Sequence, residues 1–322
     1  MSLPRSWTKK HGLTEQNEVQ VYENPDGSLL ILPLIKDEFE NNVQSCIVES
    51  EKYPDWDAFS YVITTKVLDG NDMIEITSKT PISQDMNDKV TKLVGTLLGF
   101  EIISRGPNII KIKDIMALKE ASLNELIKMV SSNVLDLISN FISAIESKAG
   151  ENLFQSILSS RESIQRYYIR VHRQLRKGLM IPSILMKMEI SNQDAVDFAF
   201  YIVMINDIAE YLASMSNALI KTSLTNFLIL NKTLPVFKNT QTLCTNAVSS
   251  FLFRETKKAF DVLKNVDSLR KEKREIEDKI DQYIKDEETL KASSGAQIIL
   301  DNCEKIVESS KAIALAALRR AL

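Results

Sequence analysis

Two stretches near the end of the chain repeat the same hydrophobic rhythm. Ala195, Phe198, Ala199, Ile202, Ile205, Ile208, Ala209, Leu212 and Met215 recur every three or four residues, and Ile299, Cys303, Ile306, Ser310, Ile313 and Ala317 do so again. That spacing predicts two long helices, each with one stripe turned into a bundle core. From about residue 117 to residue 322 the pattern is helical nearly throughout. Breaks are expected at Gly150-Glu151-Asn152, from Gly178 to Pro182, at Pro235, and from Ser293 to Gly295. Leu269 to Lys291 is a highly charged helix whose opposite charges fall four apart, as in Lys271 with Glu275 and Glu275 with Lys279. It reads as a solvated face.

Upstream of residue 117 the period changes. Between about 50 and 115, Asp55 to Leu68 reads as a helix, Met73 to Thr77 as a strand, and Ser83 to Leu98 as a capped helix with Val90, Leu93, Val94 and Leu97 on one face. Glu101-Ile102-Ile103 and Asn108 to Ile112 predict two short strands around Arg105-Gly106-Pro107, giving a small two-layer α/β unit. The first 35 residues are different again. Pro4 stops strand pairing and starts a short helix, Ser6 is placed to cap it, and Gly12 suits its end. Asn24-Pro25-Asp26-Gly27 reads as a turn between the period-two Val19 and Val21 and an apolar strand from Leu29 to Leu32.

The 322-residue chain is 44% apolar and 26% charged, enough for two or three domains with ordinary cores. Its net charge of −3 means that any contact with nucleic acid has to come from a local patch. Cys46, Cys244 and Cys303 are far apart and form no C-x-x-C pair, so they read as reduced core residues rather than as a disulfide framework or a zinc site. With no uninterrupted apolar run of bilayer length and no signal pattern at the front, the protein is expected to be cytoplasmic and not membrane-inserted. The sequence offers two histidines, no Ser-His-Asp set, no phosphate-cradling glycine loop and no nucleophile elbow. It is not expected to be an enzyme.

Ile205-Asn206-Asp207-Ile208-Ala209-Glu210-Tyr211 aligns without a gap on Cys303-Glu304-Lys305-Ile306-Val307-Glu308-Ser309, an offset of 304 − 206 = 98 residues. Each segment sits late in a three-helix stretch, so the C-terminal two hundred residues read as two tandem three-helix bundles. This repeat resembles the PhoU domain, whose third helices carry an acidic pair at i and i+4. Both carboxylates then face one side of the helix and, with an acid from the middle helix, can hold metal. Glu304 and Glu308 keep that pair in the second bundle, with Glu277 at the middle-helix position; the first bundle has Gln165, Asn206 and Glu210 instead. The resemblance therefore implies at most a divalent or ferric ion on Glu277, Glu304 and Glu308. The other reading of that trio is an exposed, salt-bridged acidic patch.

The front of the chain, with Met1 to Leu13 and Glu18 to Ile31, resembles the swapped-hairpin DNA-binding module of the SpoVT/AbrB type found ahead of archaeal PhoU-like phosphate-uptake regulators. The middle zone, through Met73 to Ile76, Val94 to Ile103 and Ile110 to Ile112, is similar to the linker of the same proteins. In that family the module begins with a further strand, which would precede Met1, and two copies interleave into one sheet. The expected fold is mainly α: an AbrB-like hairpin module at 1–35, an α/β linker domain at 36–116, and PhoU-like bundles at 117–222 and 223–322. What the resemblance implies is a homodimeric regulator of phosphate uptake that binds DNA through Arg5, Lys9 and Lys10. The alternative is an adaptor without DNA binding that docks a transporter ATPase or a signalling protein.

Two further readings come from the residues themselves. Trp7 is expected to anchor the core of the small module rather than to stack on a base. Arg166, Arg170, Arg173, Arg176 and Lys177 fall at helical spacings and form a basic stripe that could receive an acidic partner, a phosphate or DNA. Alternatively they are a cationic helix end favoured by the dipole ahead of Gly178.

Overall fold

A computed structural model describes residues 3–23, 27–33, 43–116, 122–148, 150–221, 227–282 and 284–321. At the front, α1 (Arg5–Lys10) begins on Pro4, which sits extended at the N-cap and offers no side-chain cap. Ser6 lies inside the first turn, so the expected Ser6 cap does not form. Gly12 takes φ +60, the left-handed conformation that closes a helix without a Cβ penalty. The antiparallel hairpin of β1 (Val19–Glu23) and β2 (Leu29–Pro33) pairs Val21 with Ile31. The turn expected from Asn24 to Asp26 lies outside the described residues. No described residue between 3 and 33 is buried. Trp7 is half-buried with its ring 5.1 Å from that of His11, so it does not anchor a core within one chain.

The second unit runs β3 (Ser45–Glu49), a single 3₁₀ turn, α2 (Trp56–Leu68), β4 (Met73–Thr77), α3 (Gln84–Gly95), β5 (Phe100–Gly106) and β6 (Ile109–Asp114). Two side-chain caps set its helices. Asp55 accepts from the Ala58 N–H at 2.8 Å and Ser83 from the Met86 N–H at 3.2 Å. The strand order is β3-β4-β6-β5, with β3 parallel to β4 across α2 and β6 antiparallel to both its neighbours. Alternation along the strands turns Val48, Ile74, Ile76, Ile110 and Ile112 under Phe59, Ile63, Val67, Val90, Val94 and Leu97. The opposite face is mixed, with Ile47 exposed beside a Lys111–Glu75 pair at 3.2 Å.

The remaining chain is helical: α4 (Leu123–Glu146), α5 (Glu151–Met180), α6 (Pro182–Lys187), α7 (Asn192–Lys221), α8 (Phe227–Leu230), α9 (Leu234–Phe253), α10 (Thr256–Asp281) and α11 (Glu287–Ala321). A capping box of Ser122 and Glu125 opens α4. Helices α4, α5 and α7 pack as one group of three and α9, α10 and α11 as another, and α7 lies against α11 so that one continuous apolar core runs through both groups. Eight of the nine stripe residues of α7 are buried and Ala199 is half-buried, and all six of α11 are buried. Phe141 sits edge-on to Phe154 and Phe237 at 5.6 and 5.2 Å, joining the groups. Arg320 ties the ends of α7 and α11 through Asp194 at 3.0 Å and lies 4.4 and 4.5 Å over the rings of Phe198 and Phe251.

One expectation about the helices is corrected here. The break at Ser293 to Gly295 is absent: α11 runs straight through, because Ala292, Ser293, Gly295 and Ala296 are buried and their small side chains suit close helix contact. Among the described residues, α7 is long and apolar enough to cross a membrane by length and composition, although half of that apolar window is buried inside the fold. Its hydrophobicity is that of a helix contacted by partners on several sides.

Candidate functional site

Helix α5 belongs to two cores at once. Phe154, Ile157 and Ile164 face the bundle, whereas Ile169 and Tyr168 pack into the α/β unit. On the same half, Arg170, Arg173 and Lys177 line one face at i, i+3 and i+7. Their charges are used inside the protein. Arg170 donates from Nη1 to Asp114 Oδ2 at 2.7 Å and from Nη2 to the Met116 carbonyl at 2.9 Å. Arg173 Nη2 reaches Asp72 Oδ1 at 2.7 Å, the Asn71 carbonyl at 3.0 Å and the Gly70 carbonyl at 3.3 Å, and its guanidinium lies 5.3 Å from the Phe100 ring centre. Lys177 donates to the same Asp72 oxygen. The side chains of Arg170 and Arg173 are fully buried.

Gly99 makes the approach possible. It has φ +90, and a Cβ there would come within 2.8 Å of Met116 Cβ and 3.1 Å of Arg170 Nη1. Burial works against the Asp72 carboxylate, but hydrogen bonds from Lys177 and Arg173 outweigh it and hold the group below its usual range. Burial, with the nearby Arg176 charge, pushes the His172 pKa down. The basic stripe read from the sequence is thus divided. Arg170, Arg173 and Lys177 clasp the α/β unit, Arg176 pairs with Asp69 at 2.8 Å on the surface, and Arg166 is exposed with no ion pair among the described residues.

The acidic motif is also occupied. Lys273, on α10, places its Nζ 2.7 Å from Glu304, 3.1 Å from Asp301 and 3.2 Å from Glu277. Burial alone would weaken the ammonium, yet the hydrogen bonds to Glu304, Asp301 and Glu277 raise its pKa well above the lysine range. Glu308 is paired instead with Arg270, and Gln297 donates to Glu277 at 2.7 Å and to Asp301 at 3.1 Å. Glu277, Glu304 and Glu308 therefore do not converge on a common space. Among the described residues no group of three His, Cys, Asp or Glu side chains is set to hold a metal ion. In the first bundle, Arg161 donates to Gln165 at 2.6 Å and pairs with Glu210.

The sequence reading missed Arg161, Lys273, Arg270 and Asp301. The available signal was spacing, since Arg161 and Lys273 each stand four residues ahead of the middle-helix positions Gln165 and Glu277. Arg5, Lys9 and Lys10 lie exposed on α1 and pair with none of the described residues. A groove of ≈ 310 Å³ between α9 and α10 is lined by Asn239, Asn246, Asp261, Asn265 and Glu272; Asn239 donates across it to Glu272 at 2.8 Å. No nucleophile–base pair lines it.

The arrangement of helices is a PhoU-like fold. Compared with known proteins, the chain matches no family model and no curated sequence. Among solved structures it is similar to the phosphate transport system regulatory protein PhoU from Streptococcus pneumoniae, with 13% sequence identity and a TM-score of 0.50 over 61% of this chain and 91% of that one. At this identity the likeness is one of fold.

Proposed function

We propose that the protein is a cytoplasmic, non-enzymatic regulator of phosphate uptake whose double bundle docks a transporter ATPase or a signalling protein. The observation that carries this reading is the pair of three-helix groups, whose fold matches nearly the whole length of a phosphate transport regulator. Cells lacking the chain should take up labelled phosphate at a rate that no longer responds to phosphate supply. An uptake response unchanged by the deletion overturns the reading.

A DNA-binding role through the N-terminal module is the second reading. It is supported by the exposed cations Arg5, Lys9 and Lys10 on one short helix. The hairpin also has apolar residues but no buried one, as expected of a module completed by a second copy. The protein should then be a homodimer, with a light-scattering mass of twice the 36.5 kDa chain. With roughly three to six phosphates neutralised per dimer, log K should fall with log salt at a slope of about −3 to −5. Replacing Arg5, Lys9 and Lys10 by Ala should abolish a low-salt gel shift. A triple variant that binds like wild type leaves the adaptor reading alone.

A further inference from the structure

The two bundles place a cation at matching positions of the middle helix, each turned to an acid of the third helix, although the acids differ in register: Glu210 corresponds to Glu308, and Glu304 to Asn206. The middle-helix positions correspond by 277 − 165 = 112 residues, and the two cations by 273 − 161 = 112. In each bundle that cation reaches from the middle helix to the motif on the third helix: Arg161 to Glu210 on α7, Lys273 to Glu304 and Asp301 on α11. Both are largely withdrawn from solvent, with side chains 23% and 12% exposed. The first bundle shows the logic most plainly, because it has one motif carboxylate and one Arg for it, while Gln165 accepts from the Nη1 of the same guanidinium. The second has three carboxylates around one ammonium, and the next one, Glu308, is given to Arg270.

We propose that these side chains are resident substitutes for a metal ion: Arg161 holds Glu210 in the first bundle and Lys273 holds Glu304 in the second, so the pairing of the helices is independent of metal supply. A metal-bound state on Glu277 and Glu304 would have to displace the Lys273 ammonium, whose three oxygen partners lie at 2.7 to 3.2 Å. A divalent ion with oxygen ligands at roughly 2.0–2.6 Å needs only a small inward movement of the same oxygens once the ammonium is gone. Removing Lys273 should therefore uncover a cation site made of Glu277, Asp301 and Glu304.

The test is a calorimetric titration of the full chain with Mn²⁺, a cation suited to carboxylate ligands, with circular dichroism reporting the fold. Wild type and Lys273→Arg should bind none specifically. Lys273→Met should take up about one ion per chain, at least about tenfold more tightly than wild type, and Lys273→Met with Glu304→Gln should lose it. Lys273→Gln provides the same readout should the Met variant fail to fold. The proposal is overturned if wild type binds Mn²⁺ as tightly as Lys273→Met, or if a folded variant lacking the Lys273 charge gains no binding.

Discussion

Replacing Arg170 by Met isolates the contact that clasps the α/β unit to α5. The substitution keeps an unbranched apolar stem and removes the guanidinium. Asp114, whose side chain is 5% exposed, keeps a hydrogen bond from the Met116 N–H at 3.1 Å and Arg173 at 3.4 Å, while the Met116 carbonyl loses its partner. Breaking a buried ion pair from one side costs about 3–5 kcal/mol, and the remaining Arg173 places this case near the lower end. The two tryptophans, Trp7 and Trp56, both lie outside the bundles. Fluorescence therefore follows the front of the molecule, and far-UV circular dichroism follows the helices. In urea, the fluorescence transition of Arg170→Met should move about 1–2 M below that of wild type and ahead of the dichroism. Adding Asp114→Asn should restore part of the loss, because no uncompensated charge is then left buried. A fluorescence shift of less than about 0.5 M would be that of an exposed pair and would refute the reasoning.

Acid should loosen the same clasp. Asp72 has a depressed pKa in the folded protein, so its stabilising effect is present above the unfolded carboxylate value and lost as pH falls through the folded one; His172, also depressed, adds a loss of stability as pH drops below about 6.5. Urea midpoints that rise toward low pH would contradict both. Gly99→Ala should destabilise by about 1–3 kcal/mol through its positive φ and the clash with Met116, whereas Gly95→Ala, at the end of α3 with open space around it, should be neutral or slightly stabilising in thermal melts. Cys244 and Cys303 are fully buried with thiols pushed up to about 12 by burial, and Cys46 is half-buried, so a thiol reagent should label Cys46 first and the other two only on unfolding.

The elements easiest to read were those specified locally. Ser83 announced the start of α3 as a cap, the helix read from Asp55 matched α2, Met73 to Thr77 matched β4 to the residue, and Pro235 and Gly150 marked helix starts. Strand β3 was not read because its pattern is short and blurred: Ile47 points outward, 66% exposed, while Cys46 and Val48 face in. Gly295 misled in the opposite direction, since a buried glycine inside a helix carries the same letter as one in a turn. The candidate sites show the limit most clearly. The periodicity of Arg170, Arg173 and Lys177 was plain, but their partners stand 56 to 105 residues away, beyond anything a local window can weigh. For the acidic motif, the carboxylates were visible and the lysine among them was not singled out.

The consequence of α5 serving two cores is mechanical. Arg161, at the bundle motif, and Arg173, in the clasp, stand twelve residues apart on one uninterrupted helix, a length of about 18 Å. Each is held by acidic side chains from a different part of the molecule, Glu210 in one case and Asp72 in the other. A rod gripped at two points cannot slide at one without being felt at the other. A force applied to the first bundle is therefore also a pull on the sheet.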